Sequence, residues 1–127
     1  MPDKHLFEYA VIRMVPRVER EEFLNVGVIL YCKGQQFLQT MFTFDKEKIR
    51  LFSGDTDTNE LEEHLCAFEA ICLGNAKGGP IAKLDIASRF RWLTATRSTV
   101  LQTSKVHPGL CENAMDTLTR LHNQLVL

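Results

Sequence analysis

Two dense apolar runs, Leu6 to Pro16 and Phe23 to Lys33, flank the charge cluster Arg17-Val18-Glu19-Arg20-Glu21-Glu22. In the first run Phe7, Tyr9, Val11, Arg13 and Val15 alternate with Leu6, Ala10, Ile12 and Met14. Apolar groups on both faces predict an interior strand. Pro16 cannot donate a ladder hydrogen bond, so pairing is expected to stop there and the charged segment to form the connection. In the second run the period-two pattern places Leu24, Val26, Val28, Leu30 and Cys32 on one face, read as core, and Phe23, Asn25, Gly27, Ile29 and Tyr31 on the other. Gly27, between two valines, reads as a bulge or a close backbone approach. Lys33-Gly34 signals a tight turn, and Gln36 to Phe44 alternates as a third antiparallel strand.

Helical periodicity takes over further along. Asp45 to Phe52 predicts a short helix, with Ser53-Gly54 as a breaker. Asp57 offers an N-cap with Glu60 three residues on, and Leu61, Leu65, Phe68 and Cys72 follow at helical spacing before the stop Gly74-Asn75. Ala76 to Pro80 reads as a loop. A short helix from Asp85 carries Ile86, Phe90 and Leu93, Val100 to Val106 supplies a fourth strand, and His107-Pro108-Gly109 turns the chain. Ala114, Leu118, Leu121 and Leu125 mark a terminal amphipathic helix. The expected fold is α+β, an antiparallel sheet of three or four strands with helices packed on one face, in a single domain over residues 1–127.

Composition narrows the function classes. Fifteen basic against sixteen acidic residues give a formal charge of -1, so no global field draws the chain to nucleic acid or an anionic membrane. No apolar stretch reaches bilayer-spanning length, and Met-Pro-Asp-Lys-His lacks the pattern of a secretory signal, so no membrane partner and a cytoplasmic location are expected. Cys32, Cys66, Cys72 and Cys111 form no C-x-x-C pair and read as reduced apolar side chains. The dispersed histidines show no ligand spacing, and the glycine-rich phosphate loops, G-x-S-x-G and H-E-x-x-H are missing from the sequence. No cofactor is expected.

Two constellations carry candidate chemistry. Arg13, Arg20, Glu19, Glu21, Glu22 and Asn25 gather near one end of a hairpin, where carboxylates and an amide suit a hard divalent ion and a guanidinium suits a phosphate. The plainer reading is a solvated hairpin tip with weak ion pairs. Arg89, Arg91, Trp92, Thr94, Thr96, Arg97, Ser98 and Thr99, then Lys105 and His107, interleave cations, hydroxyls and an indole, the groups that phosphate or single-stranded nucleic acid requires. Its plainer reading puts Trp92 and Leu93 in the core and Arg89 and Arg91 on a helix surface.

Tyr9 to Pro16, Arg20 to Leu30, and Phe90-Arg91-Trp92-Leu93 through Arg97-Ser98 resemble an uncharacterised bacterial family, domain of unknown function 3037. The resemblance implies a small stand-alone protein with no settled activity, sometimes encoded beside a kinase-like protein of the HipA type, which favours a protein partner. The leading reading is therefore a non-catalytic module binding a partner protein or an anionic ligand. Its candidate residues are Arg13, Glu22, Asn25, Arg91, Arg97 and Ser98. One alternative is a metal-assisted phosphoryl-transfer or nuclease-like enzyme, with Glu19, Glu21 or Glu22 holding magnesium. A second is single-stranded nucleic-acid binding through Arg91 and Arg97. An exposed apolar patch would point to a homo-oligomer. Convergence of Arg13, Asn25, Arg91 and Arg97 on one pocket would give them a common purpose.

Overall fold

The computed structural model describes residues 4–15, 22–53, 58–95 and 100–127. The sheet is antiparallel throughout: β1 (His5–Met14), β2 (Leu24–Cys32), β3 (Phe37–Phe42), β4 (Leu101–Thr103) and β5 (His107–Cys111). Its order is β3-β2-β1, with β4 and β5 placed end to end along the far side of β1. The strand expected from Val100 to Val106 is thus β4 only, and His107-Pro108-Gly109 continues a fourth row instead of turning. The row is interrupted where Ser104 presents its hydroxyl as the acceptor for the Val11 N–H at 2.8 Å, while the Ser104 N–H bonds the Val11 carbonyl.

β1 is interior, and both of its faces are covered, as its continuous apolar run requires. On one face Ala10, Ile12 and Met14 pack with Leu61, Leu65 and Phe68 of α2 (Thr58–Cys72) and Phe90 and Leu93 of α3 (Ile86–Leu93). On the other, Phe7, Val28, Leu30 and Cys32 pack with Ala114, Leu118 and Leu121 of α4 (Ala114–Leu125). The α+β class is as expected, but helices cover both faces, because β2 is buried on each side and needs two covers.

The face assignment within β2 also changes. Ile12 pairs with Gly27 and Arg13 with Asn25, so Val26 has no partner of its own on β1 and the strand bulges there. Leu24 and Val26 consequently join Ile29 and Tyr31 on the α2–α3 side, leaving Val28, Leu30 and Cys32 on the α4 side. Gly27 answers a close approach: a Cβ there would lie 2.7 Å from the Phe42 Cβ and 2.9 Å from the Met41 carbonyl oxygen.

Helix starts follow their polar caps. Asp45 accepts from the N–H groups of Glu47 and Lys48 to open α1 (Lys46–Ser53), Asp85 from Ser88 and Asn113 from Asp116. The proposed cap Asp57 lies outside the described residues. α2 ends at Gly74-Asn75, where the Asn75 N–H bonds the Ala70 carbonyl. Ala76–Lys83 is a kinked 3-10 segment rather than a plain loop. The turn after β2 is also 3-10 (Lys33–Gln35), and the Gln35 side chain stitches it to α4 by donating to the Glu112 carbonyl and accepting the Ala114 N–H.

Candidate functional site

The start of β1, the turn after β2 and the outer side of α3 enclose a groove of about 710 Å³. Lys4, His5, Leu6 and Glu8 line it from β1 and its lead-in, Tyr31, Lys33, Gly34 and Gln36 from β2 and the turn, and Ala87 and Arg91 from α3. Even-numbered residues of β1 face α3, so Glu8 projects toward that helix. Phe90 anchors α3 in the core against Tyr31, with ring centroids 5.3 Å apart, which brings Arg91 next to Glu8. Gly34 keeps the floor low: a Cβ there would meet the His5 ring 2.6 Å away.

Arg91 and Glu8 form a two-bond pair, Nη1 to Oε2 and Nη2 to Oε1, each 2.7 Å. The Arg91 side chain retains 56% of its exposure, against 24% for Glu8. The hydrogen bond from Arg91 holds the Glu8 carboxyl below its ordinary range against the opposing cost of burial, and the same bond raises Arg91. Arg91 has five N–H donors and spends two on Glu8, leaving three for another group. With Lys4 and Lys33, the groove sets three cations against one carboxylate on a chain of net charge -1. At its mouth Leu6 and Leu110, opposite each other on β1 and β5, are 61% and 63% exposed.

The sequence-nominated residues do not all meet here. Arg13 and Asn25 are cross-strand partners at the other end of β1, on the α4 side. The Arg13 guanidinium lies 4.0 Å over the Phe23 ring, and Asn25 Nδ2 donates to the Leu125 carbonyl at 3.1 Å. Arg13 Nε and Asn25 Oδ1 are buried without a hydrogen-bond partner. Asn25 also borders a cavity of about 280 Å³ with Thr43, Asp45, Lys48 and Leu127. Glu22 is exposed beside Phe23. Arg97 and Ser98, like Glu19, Arg20 and Glu21, lie outside the described residues. Arg13 with Asn25 and Arg91 with Glu8 therefore occupy opposite faces and opposite ends of the sheet.

The basic and aromatic cluster disperses in the same way. Arg89 turns inward and donates to the Ala82 carbonyl, Arg91 enters the groove, and Trp92 lines a separate cleft of about 210 Å³ with His64, Phe68, Ile71 and Leu101. Leu93 is core as read, whereas Trp92 is 39% exposed. Among the described residues, no three His, Cys, Asp or Glu side chains gather closely enough to hold a metal ion. No helix of the described residues is long and apolar enough to cross a membrane.

Lys4, His5, Glu8 and Lys33 escaped the reading of the sequence. Only Glu8 carries a signal in the sequence, a charged group inside an apolar strand like Arg13. Residues 9–126 match the family described as Protein of unknown function (DUF3037). No curated protein and no solved structure matches the chain.

Proposed function

The chain belongs to the DUF3037 family, for which no function is established, and we propose that it is a non-catalytic binding module whose groove captures an acidic segment of a partner protein. The observation that carries the reading is the placement of Lys4, Lys33 and the fixed guanidinium of Arg91 beside the exposed Leu6–Leu110 pair. Cations next to an apolar step suit a segment with a carboxylate or phosphate beside an aliphatic residue. Arg91 is pre-oriented by Glu8, so docking costs little side-chain entropy there. The kinase-like partner implied by the family resemblance is one source of such a segment.

The test is an NMR titration of the labelled protein with a short Leu-Glu-Glu peptide and, in parallel, with inorganic phosphate. The expected shifts fall on Lys33, Gly34, Ala87 and Arg91, and Arg91→Ala removes them. Shifts clustered instead around Arg13 and Asn25, or none for either probe, would contradict the assignment.

A further inference from the structure

The two edges of the sheet are built differently. Val11 addresses the β4–β5 row with both its N–H and its carbonyl, so the odd-numbered residues of β1 face that row. Tyr9, Phe7 and His5 then bond His107, Gly109 and Cys111, and the backbone of Pro108 and Leu110 is directed outward. Pro108 has no N–H, so this edge lacks a donor where an added strand would need one, and it is broken at Ser104 as well. Both features oppose pairing with another strand.

β3 carries no such device. The Thr43 N–H bonds the Val26 carbonyl, and with Gly27 opposite Phe42 this register turns residues 37, 39 and 41 toward β2. Leu38, Thr40 and Phe42 therefore direct their N–H and C=O groups away from the sheet. Among the described residues no hydrogen bond reaches those outward groups. The strand Phe37-Leu38-Gln39-Thr40-Met41-Phe42 contains no Pro, no Gly and no charge. Its two side-chain faces are already packed, Leu38 against the α2 and α3 side and Phe37 and Met41 against the α4 side. What remains to be covered is backbone.

We propose that β3 pairs with β3 of a second copy of this chain, antiparallel across a two-fold axis at Thr40. On that axis Thr40 meets Thr40, and Leu38 meets Phe42 on either side. Three outward donors from each chain find three outward acceptors of the other, so the edge is complementary to itself in register. The uncharged strand lets the symmetry bring identical residues together without repulsion, which a lysine or glutamate at position 40 would impose. The product is a continuous sheet with the four rows of each chain. The Leu6–Leu110 pair lies on the β1–β5 side of the sheet, and the groove over β1, the turn after β2 and α3 takes no lining residue from β3, so the proposal stands apart from the functional reading.

The experiment measures the molar mass of the full chain by light scattering up to the concentration of an NMR sample, with amide exchange recorded on the same sample. The expected mass approaches twice 14.5 kDa, with the amides of Leu38, Thr40 and Phe42 protected alongside those of Phe37, Gln39 and Met41. Thr40→Pro, which removes an outward donor and no ladder bond to β2, though it also replaces the buried Thr40 hydroxyl, is expected to return a folded monomer. A monomer of the unaltered chain at every concentration would overturn the proposal. So would a dimer in which residues 38, 40 and 42 exchange freely while 37, 39 and 41 are protected, because the contact would then lie elsewhere. Both of these readings come from the unaltered chain, so the test stands even if Thr40→Pro fails to fold.

Discussion

Arg91 and Glu8, 83 residues apart in sequence, are joined by two parallel hydrogen bonds of 2.7 Å that tie α3 to β1. Arg91 is exposed and Glu8 half-buried, so the pair's worth to stability is on the order of 0.5 kcal/mol after solvent screening. Its larger role is to fix the direction of a guanidinium at the wall of a groove. Glu8→Gln is expected to lower stability by no more than about 1 kcal/mol in chemical denaturation, while leaving more positive charge in the groove. The carboxyl is lowered in the folded state, so its contribution is complete above the unfolded value of 4.5 and is lost as pH falls through the folded value. Denaturation midpoints of the native chain and Glu8→Gln should therefore converge in acid, and a constant gap down to the lowest pH would contradict this role.

His122 supplies a second pH dependence with the opposite chemistry. It is 6% exposed on α4, and Nε2 lies 3.0 Å from Thr43 Oγ1. Burial pushes the imidazole below its ordinary 6.5, so folding favours the neutral ring. Between the folded and unfolded values the unfolded chain binds more protons, and stability falls as pH drops from 6.5 toward the folded value. Below both values no further loss comes from this residue. His122→Gln should flatten that limb of the stability curve, as read by thermal unfolding across the range.

Gly27 sits where no side chain fits. Gly27→Ala would place a methyl 2.7 Å from the Phe42 Cβ and 2.9 Å from a backbone oxygen, atoms that cannot swing aside. A loss of about 1–3 kcal/mol is expected, the usual cost of overpacking. A stability unchanged from the native chain would show that the β2–β3 contact is looser than described.

The four cysteines separate by exposure. Cys66 is exposed, whereas Cys32, Cys72 and Cys111 are buried. Burial pushes the Cys72 thiol up to about 12 and raises Cys111 as well, where the Cys32 thiol alongside adds to the effect. A thiol reagent near neutral pH should therefore modify one cysteine rapidly and the other three only after denaturation, and the modified peptide should contain Cys66.

In the sequence β1 was legible as an apolar run on both faces, and β3 and α2 because each follows one dominant period. Leu61, Leu65, Phe68 and Cys72 are all buried at the spacing read. The faces of β2 were not legible, because a bulge at Val26 breaks the period-two rule without changing composition. His107-Pro108-Gly109 looked like a turn because proline and glycine usually punctuate; here Pro108 aims its missing donor at an open edge, where it costs no ladder bond. The groove was hidden for a different reason. Lys4, Lys33 and Arg91 become neighbours only through β1–β2 pairing and the docking of α3, and exposed lysines carry no periodicity to mark them.

If the groove binds an acidic segment, the binding must depend on the cations of Lys33 and Arg91. Isothermal titration of the full chain with a Leu-Glu-Glu peptide at two ionic strengths tests it most directly, with Arg91→Ala and Lys33→Glu alongside. Binding is expected to weaken with salt and to drop tenfold or more, about 1.4 kcal/mol, in each variant. Binding of equal strength in the native chain and both variants, or heat indistinguishable from dilution in all three, would contradict it.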